Sequence, residues 1–274
     1  MKGLFISELE RLWCKKSTWI TFLSVPIVLY ASARYYSGHN LNVSKISPEF
    51  TSFGNFPAAV IQEQLILFFN LVVVLLLTLS ITEEYRSGQI RMVMTRPISF
   101  THQFLAKIGA ILVTLFLLVL VYFLLSIPIG YMLMPKIDKV HIFYYANAFT
   151  IKSSLLYGIK YYAVSFLTIV AMASVIMFIA TISKTITTGM GVGIGFILTS
   201  LVYPQILFMF NHQPTVKVIK LQFLSLTHIQ HMGIAMMLGK NPLFVKLIIT
   251  ILLVYIMIFT ILSYLFFTKR SNDI

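Results

Sequence analysis

Charge is what this chain has least of. Acidic residues number 8 in 274, and all charged residues together make up 11%, against roughly 25% in a soluble domain. A single cysteine, Cys14, excludes an internal disulfide and a cysteine-built zinc cluster. It reads as a small residue near the membrane interface. A loop that cradles nucleotide phosphate needs Gly, four residues, Gly-Lys and then a hydroxyl residue. The nearest approach, GIAMMLGKN from Gly233 to Asn241, has one residue too many and ends on Asn where a hydroxyl would hold magnesium. No ATP site of its own is expected. Lysine and arginine outnumber acids 21 to 8, for a net charge of +13. They form no block of the kind that grips nucleic-acid phosphates, so charge at a membrane surface is the better reading.

What the chain does have is apolar length. It is 58% hydrophobic, with a mean hydropathy of +0.90. Crossing the hydrocarbon takes about 20 mostly apolar residues in a helix. Six such runs predict an all-α polytopic membrane protein, one domain over 1–274, with transmembrane helices near 17–35, 58–82, 104–134, 154–181, 188–210 and 243–267. The alternation of a β-barrel is absent. Residues 2–16 form a different kind of helix. At the helical angle Phe5, Ile6, Leu9, Leu12 and Trp13 share one arc, while Glu8, Glu10, Arg11 and Lys15 fall on the other. That pattern predicts an amphipathic helix lying in the interface plane. It leads into a long span without a small-residue cleavage site, so no secretory leader is expected.

Segment 221–238 has the length to span, yet it carries Gln222, His228, Gln230 and His231, a heavy polar load for lipid. It reads as a helix lying on, or dipping into, the outer surface between the last two spans. Six spans put both termini on one side. The 21 basic residues divide almost evenly between the two sides, while Arg11, Lys15 and Lys16 ahead of the first span lean toward a cytoplasmic amino terminus.

Polar residues inside the spans are few enough to single out. Glu63 and Asn70 in the second run are candidates for a substrate path, since ionisable groups at depth usually face a cavity or the bundle interior. Glu63 could equally reach the outer headgroups, and Asn70 suits a hydrogen bond between helices. In the fifth run Gly189, Gly191, Gly193 and Gly195 make two overlapping GxxxG pairs, 189/193 and 191/195, on different faces. They predict close helix approach, within one subunit or between two. His228 and His231, three apart, would share a helix face, but no carboxylate nearby completes a metal site; no metal is expected.

The stretch ITEEYRSGQIRMVMTRPIS, residues 81–99, interrupts the apolar pattern with two glutamates, three arginines, a glycine and a proline. A helix cannot carry Glu83, Glu84, Arg86 and Arg91 through hydrocarbon, so the chain must leave the membrane here. Gly88 weakens a helix and Pro97 restarts the chain toward the third span. Together with Ser99 and Lys107, this register resembles that of type-2 ABC transporter permeases, the membrane subunits of bacterial drug, bacitracin and lantibiotic-immunity exporters. Gln89 departs from the family's usual Thr. ELERL at Glu8 to Leu12, the apolar outer segment before the last span and the terminal FTKRSNDI agree with that family.

The resemblance implies a permease with no catalysis of its own in the bacterial cell membrane, both termini cytoplasmic. Glu83, Glu84, Arg86, Gly88, Arg91 and Pro97 would form a cytoplasmic coupling helix docking on a separate ATPase subunit. Two permeases, identical or paralogous, would pair and bind two ATPases, which hold the ATP and magnesium. The cargo would be hydrophobic or amphipathic, drug-like or like an antimicrobial peptide. The alternatives are a sodium-extruding ABC permease and a CAAX-protease-like intramembrane protease. The protease motif, however, spaces its arginine three residues beyond the paired glutamates, where only one residue intervenes here.

Overall fold

The computed structural model describes residues 2–83, 99–210 and 215–272. Among them it is an all-helical protein without a strand; the nearest feature is an isolated bridge between Val140 and Phe149 in the loop 134–150. In chain order the helices are α1 (Lys2–Trp13), α2 (Lys16–His39), α3 (Phe56–Thr82), α4 (Phe100–Leu133), α5 (Ile151–Ile182) and α6 (Ile186–Phe210). After these come α7 (Val216–Gln222), a broken helix α8 over 226–237, and α9 (Val245–Asn272). Among the described residues five helices, α3, α4, α5, α6 and α9, are long and apolar enough to cross a membrane.

The expected ranges match these helices closely, because an uninterrupted apolar run leaves the backbone no alternative to bonding within its own helix. α2 falls outside the five because its packed face is small and polar. Thr18, Thr21, Ser32 and Ala33 are buried there beside Val25 and Leu29, while Trp19, Ile20, Leu23, Ile27 and Tyr30 are exposed. An apolar exterior over a partly polar interior inverts the pattern of a soluble helix.

α3 and α5 form the centre. Two-thirds (67%) of the most apolar stretch of each is buried, against 22% for α6 and 11% for α9. Phe69, Val73 and Leu77 of α3 meet Leu115, Leu118 and Tyr122 of α4, and Ile169, Met172 and Ile176 of α5, in one apolar cluster. α3 widens into π turns at Leu65–Phe69 and Thr78–Thr82. At each a side chain bonds back to the helix, Asn70 Nδ2 to the Ile66 carbonyl and Thr78 Oγ1 to that of Val74. Such wide turns accommodate an extra residue in an otherwise regular helix.

Cross-contacts fix the direction of each helix. Lys15, just before α2, reaches Glu83, Ser32 meets Gln64, and the Tyr36 hydroxyl donates to the Ala59 carbonyl. α2 therefore runs antiparallel to α3 along its whole length. Thr82 bonds the Ala180 carbonyl, Thr101 meets Tyr264, and Phe104 packs on Phe267. Helix α1, the start of α4, the end of α5 and the last turns of α9 thus share the end of the bundle where α3 finishes.

Residues 216–237 form a hairpin that enters the bundle from the opposite end. α7 leads to a turn at 223–225; α8 then continues from Leu226–His228 through a π turn at Ile229–Gly233 to Ile234–Met237. The turn is bonded to Ser200 of α6 and Tyr255 of α9. Each lies ten residues, roughly 15 Å of helix, inside Phe210 and Val245 respectively. The turn is thus held against the middle stretches of α6 and α9 rather than at their ends.

Candidate functional site

The charged end of the bundle is built from α1 upward. Leu12 is buried and Phe5 lies over Gly109 of α4, so α1 docks on protein. Trp13 also faces inward, donating to Thr114 Oγ1 at 3.2 Å and packing with Trp19 and Phe22. Glu8, expected on the solvent arc, is instead buried in the seam, 7% exposed, opposite Lys107 of α4, which is 2% exposed. Lys107 Nζ lies 3.1 Å from Glu8 Oε2 and donates to the Ser80 carbonyl at 3.4 Å. Arg11 bonds the same carboxylate from one turn along α1. Glu8, Arg11 and Lys15 of the polar arc thus meet charge and carbonyls at the bundle end, partners the arc pattern alone does not reveal, while Glu10 stays exposed.

A second contact sits beside the first. In the break between α1 and α2, Lys15 donates to Glu83 Oε2 at 2.9 Å and to the Leu79 carbonyl. The two contacts tie α1 to the end of α3 and the start of α4, the helices that bracket residues 84–98. Of the expected coupling residues, Glu83 is described and is held by Lys15. Glu84, Arg86, Gly88, Arg91 and Pro97 lie outside the described residues. Ser99 caps α4, its hydroxyl accepting from the His102 backbone N–H and meeting His102 Nδ1 at 2.7 Å. Two residues of the register beyond Pro97, Ser99 and Lys107, thus have definite structural duties.

The four glycines of α6 separate by face. A Cβ on Gly189 would come within 3.1 Å of Thr78, and one on Gly193 within 3.2 Å of Val74, so this pair seats α6 against α3. A Cβ on Gly191 or Gly195 would meet nothing within 4 Å, and Val192, Ile194, Leu198 and Val202 nearby are exposed. One GxxxG pair packs inside the subunit and the other is open.

The two substrate-path candidates part company. Asn70 is fully buried and exchanges two hydrogen bonds with the Gln230 side chain, at 2.8 and 3.1 Å, tying α3 to α8. Glu63 is exposed and lines a cavity of about 340 Å³ at the end of the bundle away from α1. His231 lines the same cavity, while His228 packs on Phe223. Among the described residues no group of three or more His, Cys, Asp or Glu could hold a metal.

Sequence reasoning missed the partners more than the residues. Glu8 and Lys107 were both conspicuous, but 99 positions separate them. The cluster of Ser200, Ser225 and Thr227, which seats the tip of the hairpin, gave no signal, because small hydroxyl residues are unremarkable in an apolar helix. Residues 26–272 match the family model for a protein of unknown function, DUF2705, and the chain belongs to that family. No curated protein matches it.

Proposed function

We propose that the chain is the membrane permease subunit of an ATP-driven exporter in a bacterial plasma membrane, with six spans and both ends cytoplasmic. α2 supplies the sixth span. Its 24 residues extend about 36 Å, it follows α3 from end to end, and its free face is apolar. Residues 84–98 are then the cytoplasmic connection that docks on a separate ATPase, where ATP and magnesium bind. Two permeases, identical or paralogous, pair and engage two ATPases, and the cargo is hydrophobic or amphipathic.

The observation that carries this reading is the doubled ion contact, Glu8 with Lys107 and Lys15 with Glu83. A connection that transmits force must be anchored on both sides. Here the helices leaving and re-entering the bundle are clamped to one another through α1. Separating Glu8 from Lys107 would leave charge buried, which typically costs about 3–5 kcal/mol. A pull on 84–98 would therefore move α1, α3 and α4 as a unit, where a merely solvated loop would move alone.

The test replaces Glu84 with Gln and Arg91 with Glu together. Glu83 is left alone because Lys15 already engages it. The double variant is expected to reach the membrane at wild-type level but to retain its ATPase at least about thirtyfold less well on co-purification, the lower end of what a broken interfacial charge contact costs. ATP-dependent export falls in parallel. Wild-type association together with wild-type export would remove the coupling role.

A further inference from the structure

The cavity at the end away from α1 is lined by charge of one sign. Glu49 and Glu63 contribute two carboxylates, and among the described lining residues there is neither lysine nor arginine. Neither carboxylate makes an ion pair among the described residues. In a chain with 8 acidic residues and a net charge of +13, two unpaired carboxylates on one cavity wall stand against the overall trend. Glu63 lies seven residues along α3 from Phe56, roughly 10 Å from that end.

The rest of the wall is aromatic. Tyr36 of α2 and Tyr157 and Tyr161 of α5 converge on it, all nearly buried. The Tyr36 hydroxyl is used, donating to the Ala59 carbonyl at 3.1 Å. The Tyr161 hydroxyl is not. Tyr161 is 1% exposed and its oxygen makes no hydrogen bond among the described residues. Its electrostatic neighbours, Tyr157, Tyr36 and Glu63, all belong to the cavity wall. Tyr122, Tyr162, Ser154 and Ser165 also bury a hydroxyl without a partner among the described residues, but of these hydroxyls it is that of Tyr161 that stands at the wall of this cavity, a space large enough for a small organic molecule.

We propose that this cavity is a binding site for amphipathic organic cations, in which Glu63 supplies the counter-charge, Tyr36 and Tyr157 the ring faces, and Tyr161 a hydroxyl at the inner wall. Aromatic faces attract cations through the ring quadrupole, and a carboxylate on the wall of the same cavity adds a direct Coulomb attraction. An anion of the same shape meets two carboxylates and neither lysine nor arginine, the basic groups on the wall being the histidines His39, His141 and His231. As a statement about cargo, the proposal rests on the export reading. As a statement about binding, it does not.

The experiment separates the two. The purified full-length chain, reconstituted in zwitterionic lipid nanodiscs without any ATPase, is titrated with tetraphenylphosphonium and, in parallel, with tetraphenylborate, an anion of the same shape. The phosphonium is expected to bind saturably and the borate not to bind saturably. Glu63→Gln is expected to weaken phosphonium binding at least about tenfold, and Ala59→Leu, which fills the wall, to weaken it as well. Tyr161→Phe removes only the hydroxyl. It should leave the phosphonium unaffected, since that ion offers no hydrogen bond, but weaken rhodamine 6G, whose amino groups do. Equal binding of both tetraphenyl ions, or phosphonium binding unchanged in Glu63→Gln, overturns the proposal. An ATPase that fails to co-purify would overturn the export reading without touching this result.

Discussion

At the scale of single residues, the contact between Glu8 and Lys107 has the largest energetic stake. Both side chains are nearly buried, 7% and 3% exposed, so their attraction acts in a medium that screens it poorly and their desolvation has already occurred. Glu8→Gln keeps the shape and removes the charge opposite the lysine. It is expected to destabilise the protein by about 3–5 kcal/mol, the usual cost of breaking a buried pair from one side, read as a lowered unfolding midpoint in detergent. The double change Glu8→Gln with Lys107→Met is expected to recover most of that loss, since the charge it leaves opposite position 8, Arg11, is partly exposed to water. A double variant as unstable as Glu8→Gln alone would show that the pair is not the unit that matters. The sequence made both residues visible, Glu8 within ELERL and Lys107 within an apolar run. It could not show that they meet, because an amphipathic arc says which residues share a face and nothing about what that face touches.

At the scale of helices, α6 presents two glycine faces with opposite consequences. Gly193→Leu would drive a side chain into Val74 of α3 and Ile176 of α5, and the expected outcome is a poorly folded subunit. Gly191→Leu with Gly195→Leu places bulk where nothing is within 4 Å. That variant is expected to unfold at the wild-type temperature while cross-linking between subunits falls, because close small-residue contacts tolerate large replacements poorly. Undiminished cross-linking would assign the open face to lipid. The overlapping spacing was plain in the sequence. Which pair faces inward depends on the rotation of α6 about its axis, and that is set by Thr78 and Val74 on a helix more than 100 positions away.

At the scale of the whole molecule, the six helical ranges were legible because apolar length is a local property. The depth of 216–237 was not, since Ser200, Asn70 and Tyr255 decide it from three other helices. The proposed topology is checked by labelling in intact cells. With Cys14 replaced by Ser, a cysteine at Asn147 is expected to react with an impermeant thiol reagent from outside, and one at Ser271 only after the membrane is opened. The reverse pattern would invert the protein, and reaction of both from outside would change the number of spans. The hairpin also carries a consequence for biogenesis. Ser200 and Asn70 precede it in the chain, so their bonds can form as soon as it emerges. The Leu224 carbonyl accepts from the Tyr255 hydroxyl, and Tyr255 is synthesised thirty-one residues later. Until α9 is in place, the Leu224 carbonyl at the tip of the hairpin lacks that donor. α9 therefore completes the bonding of the hairpin, and a chain that stalls before α9 is expected to keep the contacts with Ser200 and Asn70 while lacking the one to Tyr255.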